Sequence, residues 1–140
     1  YEHIQTVHGI MGRVIADLQQ RQQVHDQSKL KSPEKEIFDE FTPKLAKSTY
    51  GSDEYKSYLV AMKPALDHHY ANNSHHPEHF KDGVNDMTLL DVVEMFCDWA
   101  AACRRHNDGN IRRSIEVNAK RFDMSPQLVR IFENSVGLVE

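Results

Sequence analysis

The stretch from Leu89 to Cys103 constrains the fold more than any other part of this 140-residue chain. Its apolar residues recur at helical spacing and occupy nearly the whole circumference of the helix that they predict. A helix that is apolar on almost every side is covered by other elements rather than by solvent. Because helical spacing also dominates the remaining sequence, we predict an all-α bundle of about six helices with this helix at its centre.

Five further helices are predicted from apolar spacing and from residues that favour helix starts. They cover the segments Ile4–Leu18, Pro33–Phe41, Asp53 to about Asn72, Ile111–Phe122 and Pro126 to about Ser135. The first is expected to direct an apolar face that includes His8 toward the core, and to bend or break in the glutamine-rich stretch 19–23. Residues 72–87 contain Pro77 and Gly83 and are expected to form an irregular connection, and residues 107–110 a turn.

Length and charge narrow the class of protein. One domain over residues 1–140 can build its own core at this length. The net charge of -4 argues against nucleic-acid binding by bulk charge, and no run of residues is long and apolar enough to span a membrane. Cys97 and Cys103 lie too far apart on one helix to bridge, which favours a reducing cytoplasm. The sequence begins at Tyr1, so whether a segment precedes it is an open question. Whether the chain forms a homo-oligomer is open as well.

Histidine is the abnormal residue type in the composition, with nine copies. Five of them fall within twelve residues, namely His68, His69, His75, His76 and His79. Helical spacing directs His69 inward among apolar residues and His68 about 100° away from it. His76 precedes a proline, which disfavours the α conformation and leaves its direction open. Imidazoles mixed with carboxylates suit manganese, iron, cobalt, nickel or zinc better than calcium.

Three acidic residues interrupt the apolar surface of the central helix. Asp91, Glu94 and Asp98 follow one another at spacings of three and four, so they share a face and repel one another. Either this face is solvated or a positive group compensates it. The histidines at apolar positions elsewhere favour the second alternative.

Read in chain order, the candidate ligands resemble those of a known superfamily. The order His8, His25-Asp26, His69, His76 and Asp98 on a helical chain resembles the HD-domain superfamily of metal-dependent phosphohydrolases. The string HDQSK from His25 to Lys29 is similar to the HD-x-G/S-K string of its binuclear members. The run DWAA from Asp98, followed by Gly109-Asn110, is similar to the last-aspartate helix of the HD nucleotidases. Together, HDQSK, DHHYANNSHHPEHF and EMFCDWAA resemble a family of small bacterial and phage proteins with an HD-like fold.

The resemblance implies a metal centre and its ligands. It implies two divalent transition-metal ions held by His8, His25, Asp26, His69, His76 and Asp98. Further side chains are predicted as alternative ligands or as groups that contact the ligands, namely His68, His75, His79, Asp91 and Glu94. Which of His75, His76 and His79 is the ligand stays open. Asp26 would bridge the two ions.

The resemblance also implies an activity. We expect a metal-dependent phosphohydrolase that uses a metal-activated hydroxide on a nucleotide or another small phosphate ester. Asp26 and Lys29 are the predicted catalytic residues, and Lys29 and Arg105 are predicted to bind the phosphate. Two alternatives remain, a di-iron oxygenase of the HD type and a non-enzymatic helical protein that binds a metal or a nucleotide. The expected partner is a small molecule rather than a membrane or a nucleic acid.

Overall fold

The computed structural model describes residues 1–105 and 107–140, and its regular elements are all helical. The six α-helices are α1 Glu2–Val24, α2 Glu34–Lys47, α3 Asp53–Asn72, α4 Leu89–Arg104, α5 Ile111–Arg121 and α6 Pro126–Asn134. Four short 3-10 turns cover Gln27–Leu30, Pro77–His79, Gly83–Asp86 and Val136–Leu138. No strand occurs among the described residues. The predicted all-α fold of about six helices is therefore confirmed.

The chain divides into two compact units. One is continuous and covers Gln19–Ser74, and we call it the 19–74 unit. The other combines Tyr1–Leu18 with His75–Glu140, and we call it the discontinuous unit. The single domain over residues 1–140 stays a prediction.

The helix starts follow the signals in the sequence. Ser52 precedes α3, and its hydroxyl accepts a hydrogen bond from the Tyr55 amide at 3.1 Å. Ser125 caps α6 in the same way, accepting from the Leu128 amide at 3.3 Å. A side-chain oxygen at this position satisfies an amide that has no partner inside the helix. The predicted starts of both helices are confirmed.

The core of the discontinuous unit surrounds α4. Its buried residues on α4 are Met95, Phe96, Trp99 and Ala100, and those that follow are Ile111, Ile115, Met124, Phe132 and Val136. The Phe132 ring lies 5.0 Å from that of Phe96 and 5.2 Å from that of Trp99, centre to centre. The long buried face of α4 confirms that this helix is central to the unit that contains it.

The 19–74 unit is built on the pairing of α2 with α3, and the 3-10 turn Gln27–Leu30 packs against both helices. Met62, Ala65 and His69 are the buried residues of α3. Their spacing of three and four places them on one face, as helical periodicity requires. The inward direction predicted for His69 is confirmed, since only 3% of the residue is exposed.

Helix α1 differs from its prediction in two respects. It continues through the glutamine-rich stretch to Val24, because glutamine has a high helix propensity and a polar sequence does not by itself end a helix. None of its residues, all of which the structure describes, is buried. The expected inward face with His8 is therefore wrong, and His8 is exposed. Amphipathic spacing indicates a face suited to burial, but it does not say that the same chain covers it.

The connections agree with their predictions. His76 is extended, with φ -102° and ψ 127°, as expected for a residue before proline. Residues 107 and 108 form a turn within the predicted segment, and a Cβ atom at Gly109 would collide with the carbonyl oxygen of Cys103. Cys97 and Cys103 are free thiols. Within residues 1–105 and 107–140, no helix has the length and apolar character needed to cross a membrane.

Candidate functional site

The centre of the candidate site in the 19–74 unit is Asp26, which follows the end of α1. Its φ of 56° and ψ of 15° place it in the left-handed region. Aspartate tolerates this conformation better than most residues, and a left-handed residue ends a helix. The turn sends the chain into the 3-10 turn that follows and brings Lys29 back to Asp26. The Lys29 ammonium lies 2.6 Å from the Asp26 Oδ2 atom.

Two imidazoles flank the Asp26 carboxylate. The Nε2 atom of His69 lies 3.4 Å from Oδ1, and the Nε2 atom of His25 lies 3.5 Å from Oδ2. Burial by itself raises the pKa of Asp26, but the hydrogen bond and charge of Lys29, together with the two imidazoles, lower it below its usual value. Asp26 is therefore an ionised carboxylate with nitrogen donors on both sides.

The other ring nitrogen of His69 faces Glu34, the first residue of α2. Its Nδ1 atom lies 3.3 Å from the Glu34 Oε1 atom. Glu34 is 0% exposed, and His68 Nδ1 lies 3.2 Å from the same oxygen. A fully buried carboxylate needs such donors, because an uncompensated buried charge is very unfavourable.

The surrounding hydrogen bonds favour one tautomer of His69. The Asn73 amide donates to the His69 carbonyl at 2.8 Å and to the Ser28 hydroxyl at 2.8 Å, which uses both of its hydrogens. The Ser28 hydroxyl is hydrogen-bonded to Glu34. The Asn73 amide nitrogen also lies 3.2 Å from His69 Nδ1. Because its two hydrogens are used in the two shorter contacts, we assign the hydrogen between His69 and Glu34 to the Nδ1 atom of His69. The lone pair of the neutral imidazole is then on Nε2, the atom that faces Asp26.

The pKa values of this pair agree with that arrangement. Burial is the largest effect on His69 and lowers its pKa below the usual value, although the charges of Asp26 and Glu34 oppose it. Burial alone would raise the pKa of Glu34, but hydrogen bonds from Ser28 and His68 and the contacts with His69 lower it. The structure therefore favours a neutral imidazole against an ionised carboxylate.

These donors fit a divalent transition metal. The Nε2 lone pair of His69 and the ionised Oδ1 of Asp26 approach each other within 3.4 Å. His25, Asp26 and His69 each belong to groups of side chains that could hold a metal ion. Imidazole nitrogen with carboxylate oxygen is a donor set that suits zinc, iron, manganese, cobalt or nickel.

The discontinuous unit holds a second histidine and carboxylate pair. His75 is only 2% exposed, and its Nδ1 atom lies 3.2 Å from the Glu94 Oε1 atom. The ring of His76 lies 4.1 Å from that of His75, centre to centre. Asp98 is half-buried one turn after Glu94. These four side chains also belong to groups that could hold a metal ion.

Asp91 differs from the other acidic residues of α4 in its surroundings, and its predicted place near the metal stays a prediction. Asp91 is 2% exposed and accepts hydrogen bonds from the Thr88 amide and hydroxyl, both at 2.8 Å, while its own amide donates to the Thr88 hydroxyl at 3.2 Å. This is a capping box, in which the acidic side chain satisfies the start of its own helix. Asp91 therefore has a local structural role, whereas Glu94 faces His75.

The two predicted phosphate-binding residues, Lys29 and Arg105, have different surroundings. Lys29 contacts Asp26, and its side chain is 44% exposed. Arg105 is exposed at the end of α4. Arg104 and Arg112 line a cavity of about 380 Å³ inside the discontinuous unit, and Arg104 donates to the Val139 carbonyl at 2.9 Å. Phosphate binding by Lys29 and Arg105 stays a prediction.

The structure brings some of the predicted residues together and adds others. His25, Asp26, Lys29 and His69 meet in the 19–74 unit, and His68 joins them through Glu34. His8 and His79 are exposed, and their roles as ligands stay predictions.

Sequence reasoning missed Glu34, Ser28 and Asn73. The spacing of four between His69 and Asn73 could have indicated Asn73. No local signal indicates Glu34, because an acidic residue in the first turn of a helix is normally exposed.

Comparison with known proteins places the chain in a family. No curated protein and no solved structure matches it. Residues 1–138 match a family described as "Family of unknown function (DUF5662)". This match covers nearly the whole chain, including every side chain of the candidate site. The chain therefore belongs to the DUF5662 family.

Proposed function

We propose that this chain is a metal-dependent phosphohydrolase that acts on a nucleotide or another small phosphate ester. The observation that carries the proposal is the arrangement around Asp26, with His25 and His69 on its two oxygens and Lys29 beside it. This arrangement agrees with the resemblance of HDQSK to the metal-binding string of the HD superfamily. His25, Asp26 and His69 are the side chains that would hold the metal.

The bound metal would activate water for attack on phosphorus and neutralise charge on the phosphate oxygens. The residues around it would then have separate tasks. Glu34 holds the proton of His69 on Nδ1, which keeps Nε2 as the electron-pair donor. Lys29 is the cation closest to Asp26 and extends into solvent, so its ammonium could contact an anionic substrate as it approaches. His8, His76 and Asp98 remain predicted ligands on the strength of the resemblance, with His75 as an alternative.

Metal analysis tests the first half of this proposal. Protein purified without a chelator should contain a transition metal in a stoichiometric amount, as measured by inductively coupled plasma mass spectrometry. Asp26→Asn and His25→Ala should each reduce the metal content strongly, because they remove proposed ligands and change little else. His3→Ala is the matched control, since His3 is an exposed histidine on α1. Equal metal contents in all four proteins would refute the proposed ligands.

Turnover tests the second half. The metal-loaded protein should release phosphate from at least one member of a panel of nucleotides and sugar phosphates, and Asp26→Asn should abolish that release. Metal binding without hydrolysis of any of these esters would favour the non-enzymatic alternative. Bound iron with oxygen-dependent turnover would favour the oxygenase.

A further inference from the structure

The strongest feature outside the candidate site is the apolar face of α1. Seven large apolar side chains lie along residues 4–18, namely Ile4, Val7, Ile10, Met11, Val14, Ile15 and Leu18. All except the half-buried Leu18 are exposed, and the exposed fraction reaches 68% at Ile4 and 58% at Met11. Soluble proteins rarely expose a contiguous apolar face of this kind unless a partner covers it.

The spacing of this face indicates the shape of the partner. Apolar residues at positions 4, 7, 11, 15 and 18 lie within about 80° of the helix circumference, which is the width of a helix-packing seam. Measured from Met11, they fall four and seven residues away in both directions. The pattern therefore reads the same from either end of the helix, and a two-fold axis at Met11 would superimpose it on itself. Self-complementarity is the requirement for pairing two copies of one chain.

Charge argues against other partners. Residues 1–18 contain one arginine and two acidic side chains, Arg13, Glu2 and Asp17. Helices that bind the membrane surface carry a polar face rich in lysine and arginine, which α1 lacks. The near balance of charge likewise gives no basis for a strongly acidic or basic partner.

We propose that α1 pairs antiparallel with α1 of a second copy of this chain, about a two-fold axis at Met11. The two Met11 side chains meet on the axis, Ile4 faces Leu18 of the second copy, and Val7 faces Ile15 of the second copy. The antiparallel direction places the positive end of each helix dipole beside the negative end of the other. This inference does not depend on the proposed function.

The area is sufficient for a specific but modest association. The exposed fractions of the six exposed side chains together equal about three complete residues. If the whole face is covered, that corresponds to at most roughly 500 Å² on each copy and roughly 1,000 Å² in the pair, near the lower limit for a specific interface. We therefore expect a dimer with a dissociation constant on the order of micromolar.

Sedimentation equilibrium across a range of concentrations around that constant tests the pairing. The full chain should change from monomer to dimer as its concentration rises. Met11→Glu should raise the dissociation constant at least about tenfold, because it sets two carboxylates against each other on the axis. Ala16→Glu is the matched control, since Ala16 is exposed about 140° around the same helix. Circular dichroism verifies that both variants fold.

Cysteine crosslinking tests the direction of the pair. In a background with Cys97→Ser and Cys103→Ser, Met11→Cys should form a disulfide-linked dimer under mild oxidation. Ile4→Cys should not, because antiparallel copies separate the two positions by about 21 Å along the helices. A parallel pair would link both variants and would overturn the proposed axis. Three results would overturn the pairing itself. The chain could stay monomeric at every concentration, or both charge variants could weaken the dimer equally. The third is a monomer that binds lipid vesicles through α1.

Discussion

The substitution Glu34→Gln tests the role assigned to the most deeply buried charge of the 19–74 unit. Glutamine preserves the size of the side chain but replaces one carboxylate oxygen with an amide NH2 group, which donates hydrogen bonds and cannot accept one. In the wild-type chain, Glu34 accepts from Ser28 and from the imidazoles of His68 and His69. At least one of these hydrogen bonds to a charged group must be lost.

The expected loss of stability follows from that count. A hydrogen bond to a charged group contributes about 1.5–3 kcal/mol, and the fully buried position prevents water from replacing it. A loss of about 2–3 kcal/mol corresponds to a decrease in melting temperature of about 7–10 °C at this chain length. Because the orientation of His69 depends on the same contact, metal affinity should also decrease by about 10- to 100-fold.

Calorimetry, metal titration and nitrogen NMR of the histidine rings measure the three consequences. The wild-type spectrum should show His69 protonated on Nδ1, and the Glu34→Gln spectrum should show a loss of that preference. Glu40→Gln is the control, since Glu40 is an exposed residue of the same helix that pairs with Lys44 at 2.9 Å. If the two variants have the same melting temperature and the same metal affinity, Glu34 does not orient His69.

Asp91→Asn should lower stability by about 1 kcal/mol in thermal unfolding, because it weakens the capping box with Thr88 rather than relieving repulsion. Lys29→Ala should leave metal content undiminished while raising the KM for phosphate ester, and a fall in metal content with unchanged kinetics would assign Lys29 to the metal centre instead. The melting temperature should fall as the pH falls below 6.5. The pKa of His69 is lowered in the folded chain, so the unfolded chain binds more protons in this range. A His69→Gln variant should lack this part of the pH dependence.

The sequence predicts the elements of this fold better than it predicts their surroundings. Helix starts depend on local chemistry, so Ser52 and Ser125 mark α3 and α6 directly. The inward position of His69 is also local, because it follows from spacing along a single helix. In contrast, the sequence of α1 does not specify which surface packs against this helix. Its apolar spacing predicted burial, yet the helix is exposed in the chain that carries it.

The candidate site likewise combines contacts that are local in the sequence with contacts that depend on helix packing. His25, Asp26 and Lys29 are close in sequence, and their contacts follow from one left-handed turn at Asp26. Glu34 reaches His69 only because α2 packs against α3, which no pattern within either helix specifies. The acidic residues of α4 share a spacing but have different surroundings, a cap at Asp91 and an imidazole at Glu94. Spacing alone therefore could not assign them one role.

The contacts made by the string HDQSK depend on the left-handed turn at Asp26, and not on the HD dipeptide alone. A left-handed Asp26 reverses the chain, so that Lys29 neutralises the same carboxylate that the two imidazoles flank. The turn also places Ser28 against Glu34 and His69, where its hydroxyl connects the metal-binding candidates to the buried carboxylate. The serine and lysine are thus part of the arrangement that makes Asp26 a candidate ligand.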